Sequence, residues 1–166
     1  MNTTEIIAGE NSQELFVIRE FDAARELLFE AFINPDLLPQ WMGNEFSDMQ
    51  VEKLDARVHG SWRFVHTDKA GNKYGFNGVI HQFLKPICII RTFEFEGING
   101  SENVQLEFIN FDELPYNRSK LTIQTIYKTV SQRDFMLRRG MDKGANMAHN
   151  RLQELLHKLK LQHDEN

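Results

Sequence analysis

Two side chains able to do chemistry interrupt otherwise apolar, β-patterned faces. His66 follows Trp62 and Phe64, and Arg91 precedes Phe93 and Phe95. Side chains alternate along an extended segment, so each polar residue shares a face with its aromatic neighbours. In that setting Arg91 could anchor an acidic head group, and His66 could hydrogen-bond or pass a proton. At strand ends the same tips would simply reach water, and the sequence leaves both readings open. His81 and Glu107 form a further acid–base combination that nothing in the sequence brings together.

The remaining inventory narrows the chemistry. The histidines at 59, 66, 81, 149, 157 and 163 show no close ligand spacing, and a single cysteine removes the usual zinc sets. Cys88, among Ile87, Ile89 and Ile90, reads as a small buried hydrophobe. Neither a nucleophile elbow, a phosphate-cradling loop nor a dinucleotide fingerprint occurs. No catalytic residue, metal or cofactor is therefore expected, and the reading leans away from an enzyme. A net charge of −5, with only Arg138-Arg139 and Lys158/Lys160 as short basic clusters, argues against nucleic acid as a main partner. Apolar runs stay below the roughly 20 residues needed to span a bilayer. Residues 1–13 are polar and acidic, unlike a signal peptide. These features predict no membrane insertion and a cytoplasmic location.

The elements that must position these residues follow from periodicity. Strands are expected over 15–21, 49–54, 61–67, 74–84, 87–96, 103–111 and 119–128, mostly joined by short turns, which describes an antiparallel meander. Gly71-Asn72 suits a hairpin, and Lys85-Pro86 interrupts the sheet. Two short helices, 23–33 capped by Asp22 and 35–42 carrying Trp41, separate the first two strands. A long final helix over 131–160 opens on Ser131 and Asp134 at capping-box spacing. Met141, Ala145, Ala148, Leu152, Leu155 and Leu159 give it an apolar stripe, and Gly140 and Gly144 within it allow a close approach. At 166 residues the chain fits one domain. That domain is expected over 14–160, with fraying tails at 1–13 and 161–166.

This order of elements, with Phe21–Phe29, Asn34–Leu38, Trp41, Gly60–Val65, Asp68–Tyr74, Arg91–Glu96 and Gly140–Asn146, resembles the bacterial branch of a known family. It is named after the activator of the ninety-kilodalton heat-shock-protein ATPase, within the START-like SRPBCC superfamily. The resemblance runs from about Leu15 to Leu159. It implies an α+β helix-grip (Bet v-like) fold, a seven-stranded curved antiparallel sheet wrapped around the C-terminal helix over a cavity. Carried over residue by residue, the cavity positions are Trp41, Trp62, Phe64, Phe76, Phe93, Phe108 and Met141. The chain departs from the family pattern at Ala24, where proline is common, and at Val58-His59-Gly60, where paired glycines are usual.

Three functions fit. The favoured one is non-covalent binding of a small hydrophobic or aromatic molecule, as carrier, sensor or sequestering protein, consistent with 13 phenylalanines. The others are a cyclase-like or hydrolase enzyme using the same cavity, and a co-chaperone-like activator of a heat-shock-protein ATPase. An edge strand or outer sheet face would permit a homodimer.

Overall fold

The computed structural model describes residues 2–97 and 103–165. Its strands are β1 (Glu5–Ile7), β2 (Glu14–Phe21), β3 (Ser47–Leu54), β4 (Ser61–Asp68), β5 (Lys73–Leu84), β6 (Cys88–Phe95), β7 (Val104–Leu114) and β8 (Arg118–Ile126). Helices α1 (Arg25–Ile33) and α2 (Leu38–Met42) lie between β2 and β3, and α3 (Val130–Arg138) and α4 (Met141–Asp164) follow β8. One antiparallel sheet has the order β1-β2-β8-β7-β6-β5-β4-β3. The helix-grip architecture is thus present with eight strands in place of the expected seven. The added strand, β1, pairs with β2 inside the segment read as a tail.

Local chemistry explains the joints. Asp68 ends β4 and accepts the amides of Ala70 and Asn72 at 2.9 Å each, closing the hairpin around Gly71 at φ 88°. Register shifts at Val51/Lys53 and Ile80/Gln82 add the bulges that bend a sheet around a helix. Gly78 faces Trp62 across the β4–β5 ladder. A side chain there would collide with the Thr92 carbonyl and come within 2.7 Å of the Trp62 indole nitrogen, so glycine makes room for the tryptophan.

Helix boundaries differ from expectation at several points, among them the start of α2 at Leu38 and the end of α4 at Asp164. The final helix is two helices, because Gly140 takes a left-handed φ of 83° between α3 and α4. Thr129, not Ser131, caps α3, its hydroxyl accepting the Gln132 amide at 3.1 Å. Asp22 does not cap α1; its carboxylate instead takes a hydrogen bond from Arg118 Nε at 3.0 Å, and Ala24 is the N-cap. Cys88 is half-buried on the outer side of β6, since the neighbouring Ile89 points inward. No described helix is long and apolar enough to cross a membrane.

Candidate functional site

Helix α4 covers the inner face of the sheet, and its character changes along its length. Its later turns pack solidly. Leu152 and Leu156 are fully buried and Leu155 nearly so, against Leu28, Phe111 and Leu121. There Phe29 and Phe111 meet edge-on at 4.9 Å, and Phe32 meets Phe111 at 5.2 Å. Its first turns instead present Gly144, Ala145 and Ala148, and small side chains cannot reach the sheet. A cavity of about 530 Å³ results, open to solvent and bounded by α4, the α3–α4 corner, α2 and strands β4 to β8. That volume lies in the range of pockets that take drug-sized molecules.

The sheet wall of the cavity is aromatic. Phe76 and Phe95 stack at 4.9 Å with a 20° interplanar angle, and Phe93 lies 5.5 Å from Phe76. Trp41 closes the α2 end, its indole N–H held by the Ala31 carbonyl at 3.0 Å. Met141 lines the helix wall, with its sulfur 3.8 Å from the Tyr127 hydroxyl.

Polar groups punctuate this wall at fixed places. Arg91 and Glu107 face each other across the β6–β7 ladder, and Arg91 Nε donates to Glu107 Oε2 at 2.8 Å. Both side chains are largely buried, at 14% and 12% exposure, and the guanidinium lies 4.5 Å over the Trp62 ring. Burial lowers the His66 pKa, so the imidazole is neutral at pH 7, with its ring edge-on to Phe76 at 5.4 Å. Tyr127 is pushed above the usual phenol range by burial, helped by the charge of Glu107. Arg151 Nε donates to the Trp41 carbonyl at 3.2 Å, and Arg139 at the α3–α4 corner stacks 5.3 Å over Phe135.

Beside the cavity lies a sealed polar cluster. Arg19 points inward from β2, only 2% exposed, and its Nη1 donates to Asn150 Oδ1 at 2.8 Å and to the Thr4 hydroxyl at 3.3 Å. No carboxylate pairs with it among the described residues; Phe21 lies under it at 5.4 Å. His149 joins the cluster to the cavity wall through a 3.0 Å contact between Nδ1 and the Thr4 hydroxyl. Burial first, then the Arg19 charge, lowers the His149 pKa to about 4.

Of the residues expected at the site, Trp41, His66, Phe76, Arg91, Phe93 and Met141 border the cavity. Trp62 and Phe64 do not; each is 1% exposed and packed behind the wall. Phe108 is a correction, for it points to the outer face. On β7 the buried Gln105, Ile109 and Phe111 set the inner register with Glu107, and Phe108 falls on the opposite parity. His81 and Glu107 are apart: His81 is exposed beside His59, while Glu107 is bound to Arg91. Sequence reasoning missed Arg19, Arg139 and Arg151. Arg19 was signalled by parity, since it alternates in step with Leu15, Val17 and Phe21.

A curved antiparallel sheet gripping one long helix over an apolar, solvent-open cavity defines a helix-grip domain, a scaffold for ligand binding or for an activator role. The chain belongs to the family described as Activator of Hsp90 ATPase homolog 1-like protein, whose model matches residues 22–157. Similar solved structures share the fold. Protein Ms6760 from Mycobacterium smegmatis is 22% identical with a TM-score of 0.83, covering 93% of this chain and 96% of its own. A Rhodobacter sphaeroides protein is 23% identical with a TM-score of 0.84 over 94% and 99% of the two chains. The AHSA1 protein from Silicibacter pomeroyi is 20% identical with a TM-score of 0.67 over 87% and 97%. No curated protein sequence matches.

Proposed function

We propose that this chain binds a small hydrophobic or aromatic molecule between α4 and the sheet, serving as a carrier, sensor or sequestering protein. The observation that supports this reading is the cavity of about 530 Å³, walled by Phe76, Phe93 and Phe95 on one side and by glycine and alanine on the other. An aromatic wall offers stacking surface, and removal of apolar area from water favours the bound state by about 25 cal/mol per Å², less the ordering cost of the guest.

Native mass spectrometry of the purified protein tests this directly, with a retained small molecule as the expected result. Titration of hydrophobic aromatic compounds should change the fluorescence of Trp41, which borders the cavity. Ala148→Phe, which fills the space, should abolish that change. Silence across the panel, or a response that Ala148→Phe leaves intact, would defeat the reading.

A further inference from the structure

The formal charges around the cavity run against those of the whole molecule. The chain carries −5, yet its cavity lining includes Arg91, Arg139 and Arg151 against one carboxylate, Glu107. Both lining histidines have lowered pKa values and are neutral at pH 7. The wall therefore bears a net positive charge inside an acidic protein.

The three guanidiniums are not equivalent. Arg91 is committed, its Nε bound to Glu107 at 2.8 Å and its plane laid on Trp62. Arg139 is exposed at the corner where α3 meets α4 and pairs with no carboxylate among the described residues. Asp68, which the neighbouring Tyr74 hydroxyl contacts, is occupied by that hydroxyl, Asn72 and Ala70. Arg151 is half-buried and pinned by one bond, from Nε to the Trp41 carbonyl, so both terminal nitrogens stay free of protein partners among the described residues. A guanidinium fixed at one nitrogen, with two more donors beside an apolar wall, has the geometry to hold an oxyanion by two parallel hydrogen bonds.

We infer that the guest is an acidic amphiphile, an apolar body ending in an oxyanion such as a carboxylate. Its body lies on the Phe76 and Phe93 wall and its head on Arg151, with Arg139 drawing anions to the opening. This rests on the proposed ligand-binding reading. It also moves the anion anchor from Arg91, where the strand pattern points, to the helix. Arg91 is silenced by Glu107, and a second anion there would compete with a buried partner 2.8 Å away.

Two fluorophores with one aromatic body and different charge separate the two ideas: neutral N-phenylnaphthylamine and anionic anilinonaphthalenesulfonate. Both should bind, the anion about ten-fold tighter, equivalent to about 1.4 kcal/mol. Dodecanoate or dodecyl phosphate should displace the neutral dye at about ten-fold lower concentration than dodecanol, and which of the two is stronger identifies the head group. Arg151→Gln should erase the anion's advantage while leaving N-phenylnaphthylamine affinity unchanged, which certifies an intact cavity. Arg151→Lys should restore part of the advantage. Glu107→Gln should strengthen anion binding several-fold by freeing Arg91. An advantage that survives Arg151→Gln, or dodecanol matching dodecanoate, overturns the anionic assignment alone. Failure of both dyes to bind overturns the cavity reading with it.

Discussion

Helix α4 crosses two interiors. Around Leu152, Leu155 and Leu156 the space between helix and sheet is filled by branched side chains and interlocked rings, while two turns earlier Gly144, Ala145 and Ala148 leave it hollow. The sheet supplies rings to both halves, Phe111 to one and Phe76 with Phe93 to the other. Helix side-chain volume therefore decides which half encloses a space. A protein of this design can keep a rigid, close-packed end and an accommodating end within a single layer pair.

The sharpest way to break that contrast is to exchange the volumes. Leu152→Ala should cost about 2–5 kcal/mol, the range for emptying a close-packed site, read as a fall in urea midpoint. Ala148→Phe should spare most of the stability, because it enters existing space, and should abolish ligand binding. Were the two substitutions to cost alike, the hollow would be closed in solution and the contrast false.

A second difference is electrostatic and shows with pH. His149 sits where the cavity wall meets the sealed Arg19 cluster, and its pKa falls from 6.5 to about 4 in the folded chain. Between those values the unfolded chain binds a proton that the native protein refuses. Stability is then complete above about pH 6.5 and declines as pH falls toward 4, by up to about 1.4 kcal/mol per unit. Urea midpoints at pH 7, 6 and 5 should drop more steeply for the wild type than for His149→Gln. Parallel slopes would mean that His149 accepts its proton in place.

The glycines at the start of α4 offer a smaller, sign-sensitive test. Gly140 holds a φ of 83°, whereas a methyl group at Gly144 would meet nothing within 4 Å. Gly140→Ala should therefore destabilise by about 1 kcal/mol, and Gly144→Ala should stabilise by about 0.5–1 kcal/mol. Thermal unfolding of the two variants should shift in opposite directions. Shifts of the same sign would contradict the break between α3 and α4.

Much of this body was legible because the aromatic residues of β4 and β6 alternate with polar ones, Trp62 and Phe64 or Phe93 and Phe95 falling on one side. What stayed hidden has physical causes. β1 is three residues long, too short for any period to register, and exists by pairing with β2. The apolar stripe runs toward Gly140 without a gap, so only the backbone reveals the turn there. On β7 both faces carry apolar residues, and the hollow interior tolerates Gln105 and Glu107 inside. Pattern then gives no check on the family resemblance, which places Phe108 on the wrong face. Unpaired cations are equally invisible, since a sequence names Arg151 without saying that no carboxylate among the described residues pairs with it.

That β7 ambiguity also yields the finest comparison between the two sides of the sheet. Phe93 and Phe108 are both half-buried phenylalanines on neighbouring paired strands, and they differ in parity. Truncating either to alanine removes a similar apolar area, so their effects on stability should be close. Binding should separate them. Phe93→Ala takes a ring from the cavity wall and should weaken N-phenylnaphthylamine several-fold, while Phe108→Ala should leave its affinity unchanged. Equal losses would show that the guest sits on the outer face or that the sheet transmits the change, and a loss confined to Phe108 would reverse the inner and outer assignment of β7.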